Sequence, residues 1–358
     1  MGFKINSIKA DLGSYPHYVL LGQPKVGKSS FFRDLVIEKY GDPSKGLLIS
    51  CGNENGFRAL DNLQVEEAKE FNQEYDEETD SRGFVQIVDD LIENNKEYGI
   101  KIVAIDTLDC YYDIALQEVL RLSRKETGKQ CKSLNDAFGG FGRGRVRLID
   151  LMTEQISRLE NAGIAVFVIS HVKEKTRTDM VTGTEYQVWS NNMNDDVYGA
   201  IANSAQMIMM AVFDREIEGG KIKGENRVLY LRATMSLDAG SRFNGLPEKI
   251  PFTPKAFLDA FEQGVKNSAT VKPMTDAEMN ARKKAEEEQR AKSAEIARRK
   301  DEEVNRQKML DGIQERFAKV SPDVQNQARE ILKENGCTKF SDPKLPISAL
   351  KDVYNLVA

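Results

Sequence analysis

The chain has 358 residues, 40% of them apolar and 30% charged, and a formal net charge of -5 at pH 7. That length holds one domain of about 200–270 residues plus something smaller, and the acidic balance excludes a general attraction for nucleic acid, so any such binding has to come from local basic segments. No run approaches the ~20 apolar residues of a membrane span, residues 1–12 lack a signal-peptide pattern, and Cys51, Cys110, Cys131 and Cys337 form no C-x-x-C pair beside only two histidines; a cytoplasmic protein with reduced thiols and no membrane contact is expected.

From residue 17 to about 261, short apolar runs alternate with amphipathic stretches, which predicts an α/β fold of βα units around a mainly parallel sheet. The first run, 18–21, leads into Gly22-Gln23-Pro24-Lys25-Val26-Gly27-Lys28-Ser29, a full match to G-x-x-x-x-G-K-[ST]. Average residue usage gives such a match by chance in about one chain per hundred of this length, and here it also follows a strand and opens a helix, as its chemistry requires. Glycines let backbone N–H groups turn toward phosphates, and the helix N-terminus adds partial positive charge. The loop 22–29 together with Ser30 is therefore the expected cradle for ATP. Lys28 is expected on the β- and γ-phosphates and Ser29 on Mg2+. A helix from 29 to 40 stops at Gly41.

The run 46–50 enters the turn Cys51-Gly52-Asn53-Glu54-Asn55-Gly56. Ser81 is placed to cap a helix carrying Phe84, Ile87, Val88, Leu91 and Ile92 on one face. The run 102–105 then puts Asp106 at the carboxyl end of a buried strand, where open α/β sheets bind ligands; Asp106, with Thr107 beside it, is the expected second magnesium residue. Val146, Ile149, Met152, Ile156 and Leu159 recur at helical spacing before the run 164–170 and His171. Two later runs, 205–213 and 227–233, flank Gly219 and Gly220 and predict a hairpin at the sheet edge.

Composition changes after residue 269. Thr275 and Glu278 form a capping box, and about thirty residues of Ala, Glu, Lys, Arg and Gln follow, without the apolar heptads of a coiled coil. This reads as a solvated helical spacer, 269–315. Ser321 and Pro322 then start a helix carrying Val324, Ala328, Ile331 and Leu332; it stops at Gly336, and Ile347, Leu350, Val353 and Tyr354 make a further apolar set. The expected division is thus a main domain 1–268, the spacer, and a small helical module 316–358 that offers a surface for a protein partner.

Taken together, the loop 22–29, the Asn53-Glu54-Asn55-Gly56 turn, Ala104-Ile105-Asp106-Thr107, Ile169-Ser170-His171-Val172-Lys173 and Ser241-Arg242-Phe243-Asn244-Gly245-Leu246-Pro247 resemble the RecA-like ATPases, and within them the bacteriophage single-strand-annealing and related nucleotide-binding proteins. The resemblance covers residues 15 to 265. It implies ATP hydrolysis, with Glu54 orienting the attacking water, since a carboxylate there can accept its proton. It also implies that His171 senses the γ-phosphate, that loops lining a single-stranded DNA path lie at 138–147 and 172–194, and that the protein forms homo-oligomers. In the first loop Phe138, Phe141, Arg143, Arg145 and Arg147 combine stacking faces with phosphate-neutralising charge; the second offers Lys173, Lys175, Arg177, Tyr186 and Trp189. Arg232 and Arg242 occupy the region from which such assemblies reach a neighbour's γ-phosphate. Two alternatives stand beside DNA recombination, replication or repair: an ATP-switched module for a protein partner, and a helicase-loading or packaging motor. A small-molecule kinase fits less well, because no Arg-rich lid follows the loop and Glu54 would be idle.

Overall fold

Tyr18, Val19, Leu20 and Leu21 are all buried because the first strand, β1 (His17–Gly22), runs through the middle of a sheet covered on both faces. The computed structural model describes residues 17–76, 78, 81–219, 221–268 and 274–357. After β1 come α1 (Lys28–Tyr40), β2 (Gly46–Cys51), β3 (Gln64–Ala68), α2 (Phe84–Tyr98), β4 (Ile102–Asp106), α3 (Leu108–Thr127), α4 (Arg143–Asn161), β5 (Ala165–Thr178), β6 (Glu185–Asn191) and α5 (Asp195–Ala202). The strands β7 (Met207–Glu218), β8 (Lys221–Tyr230), β9 (Gly240–Ser241) and β10 (Lys249–Pro251) follow, and then the helices α6 (Pro254–Ser268), α7 (Asp276–Arg316), α8 (Pro322–Glu334) and α9 (Ile347–Leu356).

The strand order is β10-β8-β7-β1-β5-β4-β2-β3, with β6 added to β5 and β9 to β7. The neighbours from β7 to β3 pair in parallel, while β6, β8, β9 and β10 pair antiparallel. The chain thus has the expected α/β fold with a mostly parallel sheet and a helical C-terminal region. Alternation along β1 sends Val19 and Leu21 into a core shared with α2, α3 and α4, and Tyr18 and Leu20 into one shared with α1 and α6. Period-two alternation makes one buried strand serve both layers. Tyr18 meets Phe257 and Phe261 edge to face at 5.3 and 5.6 Å on the second side, a preferred aromatic geometry.

The structure divides into two compact units, residues up to Ala291 and residues from Lys292. In the second, Ile313 of α7 packs in one small core with Ala328 and Leu332 of α8 and with Ala349, Leu350 and Val353 of α9. Gly312 is needed for close approach: a Cβ there would stand 2.5 Å from the Tyr354 ring.

Several local expectations are corrected. The N-cap of α2 is Gly83, whereas Ser81 sits in a bridge with Asp76. Val146 does not share the buried face of α4 with Met152, Ile156 and Leu159 but is 60% exposed. The strand expected at 164–170 continues to Thr178, and the segment expected as a loop over 172–194 is largely the β5–β6 hairpin, with Val172 opposite Asn191 and Thr178 opposite Glu185. Its alternating polar residues hid a strand with solvent on both faces. The capping box is present, with Thr275 and Glu278 bonding reciprocally at 2.9 and 3.3 Å. The spacer is nonetheless not devoid of a buried face, since Met279 is 1% exposed in the second core of the first unit. The expected turn residue Gly220 and the start of the spacer at 269 lie outside the described residues.

Candidate nucleotide-binding site

The loop between β1 and α1 is shaped by its glycines. Gly27 has φ +101°, a conformation L side chains rarely adopt, and it is the N-cap of α1 with no side chain capping the helix. The N-terminal amides of α1 are therefore not covered by a capping side chain, which is what an anion cradle needs. A Cβ at Gly22 would meet Val26 Cγ1 at 3.1 Å and the Ala211 carbonyl at 3.2 Å, so the loop closes tightly on its own strand. Within it Val26 is buried, Pro24 and Lys25 are exposed, and Gln23 is half-buried, its Oε1 accepting from the Phe213 amide at 3.3 Å.

Lys28 is buried at 7% exposure and folds back on the loop, its Nζ donating to the Gly22 carbonyl at 3.1 Å and the Gln23 carbonyl at 3.2 Å. Burial pulls its pKa down, opposed by the charges of Asp106, Asp109 and Glu54. Ser29 Oγ donates to Asp106 Oδ2 at 2.6 Å, which brings the two expected magnesium residues together from β4 and α1. Burial raises the Asp106 carboxyl; the Ser29 hydrogen bond and Lys28 work against this, while Glu54 adds to it. The cap of α3 is Thr107, whose Oγ1 accepts from the Cys110 amide at 3.4 Å. Asp106 is thereby left to the site rather than to the helix.

Strand order brings the remaining groups in. Because β5 lies between β1 and β4, His171 stands opposite Gly22, one strand from the phosphate loop. Its backbone N–H donates to Asp109 Oδ2 at 3.0 Å, and its ring Nδ1 is 3.4 Å from the same oxygen. Asp109, in the first turn of α3, escaped the sequence reading. Its burial favours the neutral acid, yet the hydrogen bonds and charge of His171 outweigh burial and leave its pKa below the ordinary value. Asp109 Oδ1 is buried and has no hydrogen-bond partner, and the carboxylate is near enough to act electrostatically on Lys28. Glu54 follows β2, where Ser50 pairs with Asp106. Its backbone carbonyl accepts from Ser50 Oγ at 2.8 Å and its Oε1 from the amides of Asn55 and Gly56 at 3.1 and 2.9 Å. This fixes the carboxylate in a turn close enough to act electrostatically on Lys28 and Asp106.

The donor set suits magnesium. Among the described residues no group of three or more His, Cys, Asp or Glu side chains could hold a metal alone; one hydroxyl and one carboxylate leave most positions of an octahedral ion to phosphate oxygens and water, which is how Mg2+ is ordinarily bound.

The other expected residues are dispersed. Residues 138–147 form a short 3-10 turn and the start of α4, and Phe138 and Phe141 take positive φ values of 53° and 56°. Phe141 is 98% exposed beside a groove of about 820 Å3 that Phe138, Arg143 and Arg147 line together with Lys125 of α3. Arg145 instead pairs with Asp196 at 2.9 Å. In the hairpin, Lys175 bonds Asp195 at 2.5 Å and Arg177 bonds Asp238 at 2.7 Å, while register puts Trp189 opposite Glu174. Lys175 and Arg177 are thus neutralised by neighbouring carboxylates, and the strand position facing the hairpin's tryptophan is acidic. Arg242 donates to the Asn203 carbonyl at 2.5 Å and its amide to Gln206, whose own amide bonds His17, so it stands at the end of β1 opposite the phosphate loop. Arg232 follows β8, which descends toward that same end.

A parallel sheet whose central strand delivers a glycine loop onto an uncapped helix, beside a serine and aspartate joined by a hydrogen bond, defines a P-loop nucleotide-binding domain of the ATPase type. The chain belongs to the AAA domain family, whose match spans residues 14–243, well over half its length. No curated protein matches the chain.

Proposed function

We infer that the protein is a RecA-like ATPase of the bacteriophage type that binds ATP with Mg2+, hydrolyses it, and acts on single-stranded DNA in recombination, replication or repair. The observation that carries the reading is the gathering of Lys28, Ser29, Asp106, Glu54 and His171 at the carboxyl ends of β1, β4, β2 and β5. Magnesium held by Ser29 and Asp106 would supply charge neutralisation at the phosphate oxygens. Lys28 exchanges its two loop carbonyls for phosphate oxygens and keeps its charge because the phosphates offset burial. Glu54, held by two backbone amides, accepts a proton from the water it orients; positioning is most of what phosphoryl transfer asks of a protein. His171, tied to Asp109, stands where the γ-phosphate's presence or loss changes its hydrogen bonds, and β5 continues from it into the hairpin.

Single-stranded DNA is assigned to the groove beside Phe141, where two phenylalanines offer stacking faces and Lys125, Arg143 and Arg147 offer phosphate contacts. Such sites gain ~1–3 kcal/mol per stacked base and are salt-dependent. The decisive experiment is the ATPase rate with and without single-stranded DNA, read with the mass in solution for the proposed homo-oligomer. Stimulation by DNA supports the reading; no binding at low salt with ATP and magnesium present sinks its DNA part. A second reading, an ATP switch for a protein partner, is favoured by Glu126 and Asp150 on the same groove and by the separate core of the C-terminal helices. Stimulation by a partner alone would select it.

A further inference from the structure

We propose that Arg227 is a further nucleotide-binding residue, a second cation that engages the phosphates of the bound nucleotide beside Lys28. This rests on the nucleotide reading of the loop 22–29.

The placement comes from strand direction. β1 and β7 run parallel, with Gly22 level with Ala211, and β7 continues upward to Phe213. β8 returns antiparallel, so Arg227 stands opposite Phe213, at the height of the phosphate loop, whereas the strand has already turned away from it by Tyr230, which pairs with Met210. Of the arginines on the late strands, Arg227 is therefore the one that reaches the loop. Its Nη1 donates to the Val26 carbonyl at 3.4 Å, a long contact, and lies 3.1 Å from where a Cβ at Gly27 would be. Gly27 thus serves two needs at once, a positive φ and space for a guanidinium. Beneath it Phe252 stacks on Phe31 of α1 at 4.6 Å and 6°, and the Phe252 amide bonds the Arg227 carbonyl at 3.1 Å. The strand that carries the arginine is thereby pinned to the helix that carries the cradle.

The charge is uncommitted. Glu225, the nearest acid on the same strand, is paired with Arg215 at 2.6 Å, and among the described residues no carboxylate forms an ion pair with Arg227. The side chain is exposed. A guanidinium resting on one weak carbonyl contact, next to an uncapped helix start, gains when a polyanion arrives, because charge-assisted bonds are about twice as strong as neutral ones. A pure buttress for the loop would not need an exposed, unneutralised cation.

The test measures binding of Mg-ATP, Mg-ADP and Mg-pyrophosphate to the full chain, with kcat and KM for ATP, in wild type, Arg227→Ala and Arg227→Lys. Expected for Arg227→Ala is a loss of about tenfold in affinity for all three ligands, with KM for ATP raised accordingly, and a partial recovery in Arg227→Lys. A loss for nucleotides but not for pyrophosphate would overturn the assignment to phosphates. Unchanged affinities in a variant that melts like wild type would overturn the role altogether. If the wild type itself binds no nucleotide, it is the reading of the loop that fails, a distinct outcome.

Discussion

Asp106 illustrates how a site residue is held against its own preference. Burial raises its carboxyl, so the ionised form is disfavoured in the fold until a cation arrives. A carboxylate with a raised folded pKa binds more protons folded than unfolded between the two values, so its penalty grows as pH rises through that window and is full above the folded value. Asp106→Asn should therefore raise the melting temperature of the nucleotide-free protein while weakening Mg-dependent nucleotide binding by at least about tenfold; scanning calorimetry and titration with and without magnesium check the two halves, and a variant that melts lower would contradict the strain. Lys28→Ala should remove nucleotide binding and turnover alike, whereas Glu54→Gln should bind ATP and lose turnover by ~10²-fold or more. Normal hydrolysis by Glu54→Gln would mean another group orients the water. Lys39 provides a pH signature of the fold rather than of the site. Burial, with Lys283 nearby, brings its pKa down to about 8. A lysine lowered in the fold binds fewer protons than the unfolded chain between that value and 10.5, so it makes stability rise with pH across that window and costs most below it. Lys39→Met should stabilise at pH 7, on the order of 1 kcal/mol, and flatten the rise above pH 8 in urea melts compared with wild type.

At the scale of elements, what could be read from sequence depended on how local the determinants were. The phosphate loop was legible because strand, glycines, lysine and helix are contiguous, and Asp106 because the apolar run before it marks a strand end. Asp109 and Arg227 were not, since one needs the first turn of α3 laid against His171 and the other needs the antiparallel register of β8. The β5–β6 hairpin was lost for the opposite reason: its polar alternation carries little apolar signal, and of the residues of β6 only Val188, Ser190 and Asn191 are buried. The segment that leads into α4, expected as a basic loop, is tightly specified. Gly144 admits no side chain, because a Cβ would lie 2.4 Å from the Leu134 carbonyl, and Phe138 and Phe141 hold left-handed backbone at a cost of about 1 kcal/mol or more each. An exposed phenylalanine in such a conformation makes a function for its ring the economical explanation. Phe141→Gly should stabilise the protein by about 1 kcal/mol, since it relieves the backbone and loses no packing, and should weaken single-strand binding without altering its salt slope. Arg143→Ala with Arg147→Ala should flatten that slope by roughly one unit per lost contact. Arg145→Ala should not, because its charge is spent on Asp196. If all three arginines behave alike, the groove is not the path.

For the whole molecule, the long helix α7 governs what can be separated. Its beginning is anchored by Met279 in the core of the first unit and its end by Ile313 in the core of the second. Between them Ile296 and Val304 are 58% and 50% exposed, and ion pairs such as Arg298 with Glu295 at 3.1 Å and Arg299 with Glu295 at 3.3 Å run along the helix surface. Such exposed pairs contribute only ~0.3–0.5 kcal/mol each. A stretch that buries little and is held by weak local pairs opens at low cost, and local opening is what admits a protease. Trypsin should therefore cut first at the Lys and Arg residues between about 284 and 300, releasing a stable N-terminal fragment that still binds nucleotide and a C-terminal fragment that keeps helical circular dichroism through the core of Leu332, Leu350 and Val353. Mass spectrometry of a digestion series identifies the sites, and nucleotide titration of the isolated large fragment tests its competence. First cleavage inside the β5–β6 hairpin or the segment before α4 would instead place the least stable element beside the candidate site. A large fragment unable to bind nucleotide would mean that binding requires the C-terminal helices as well.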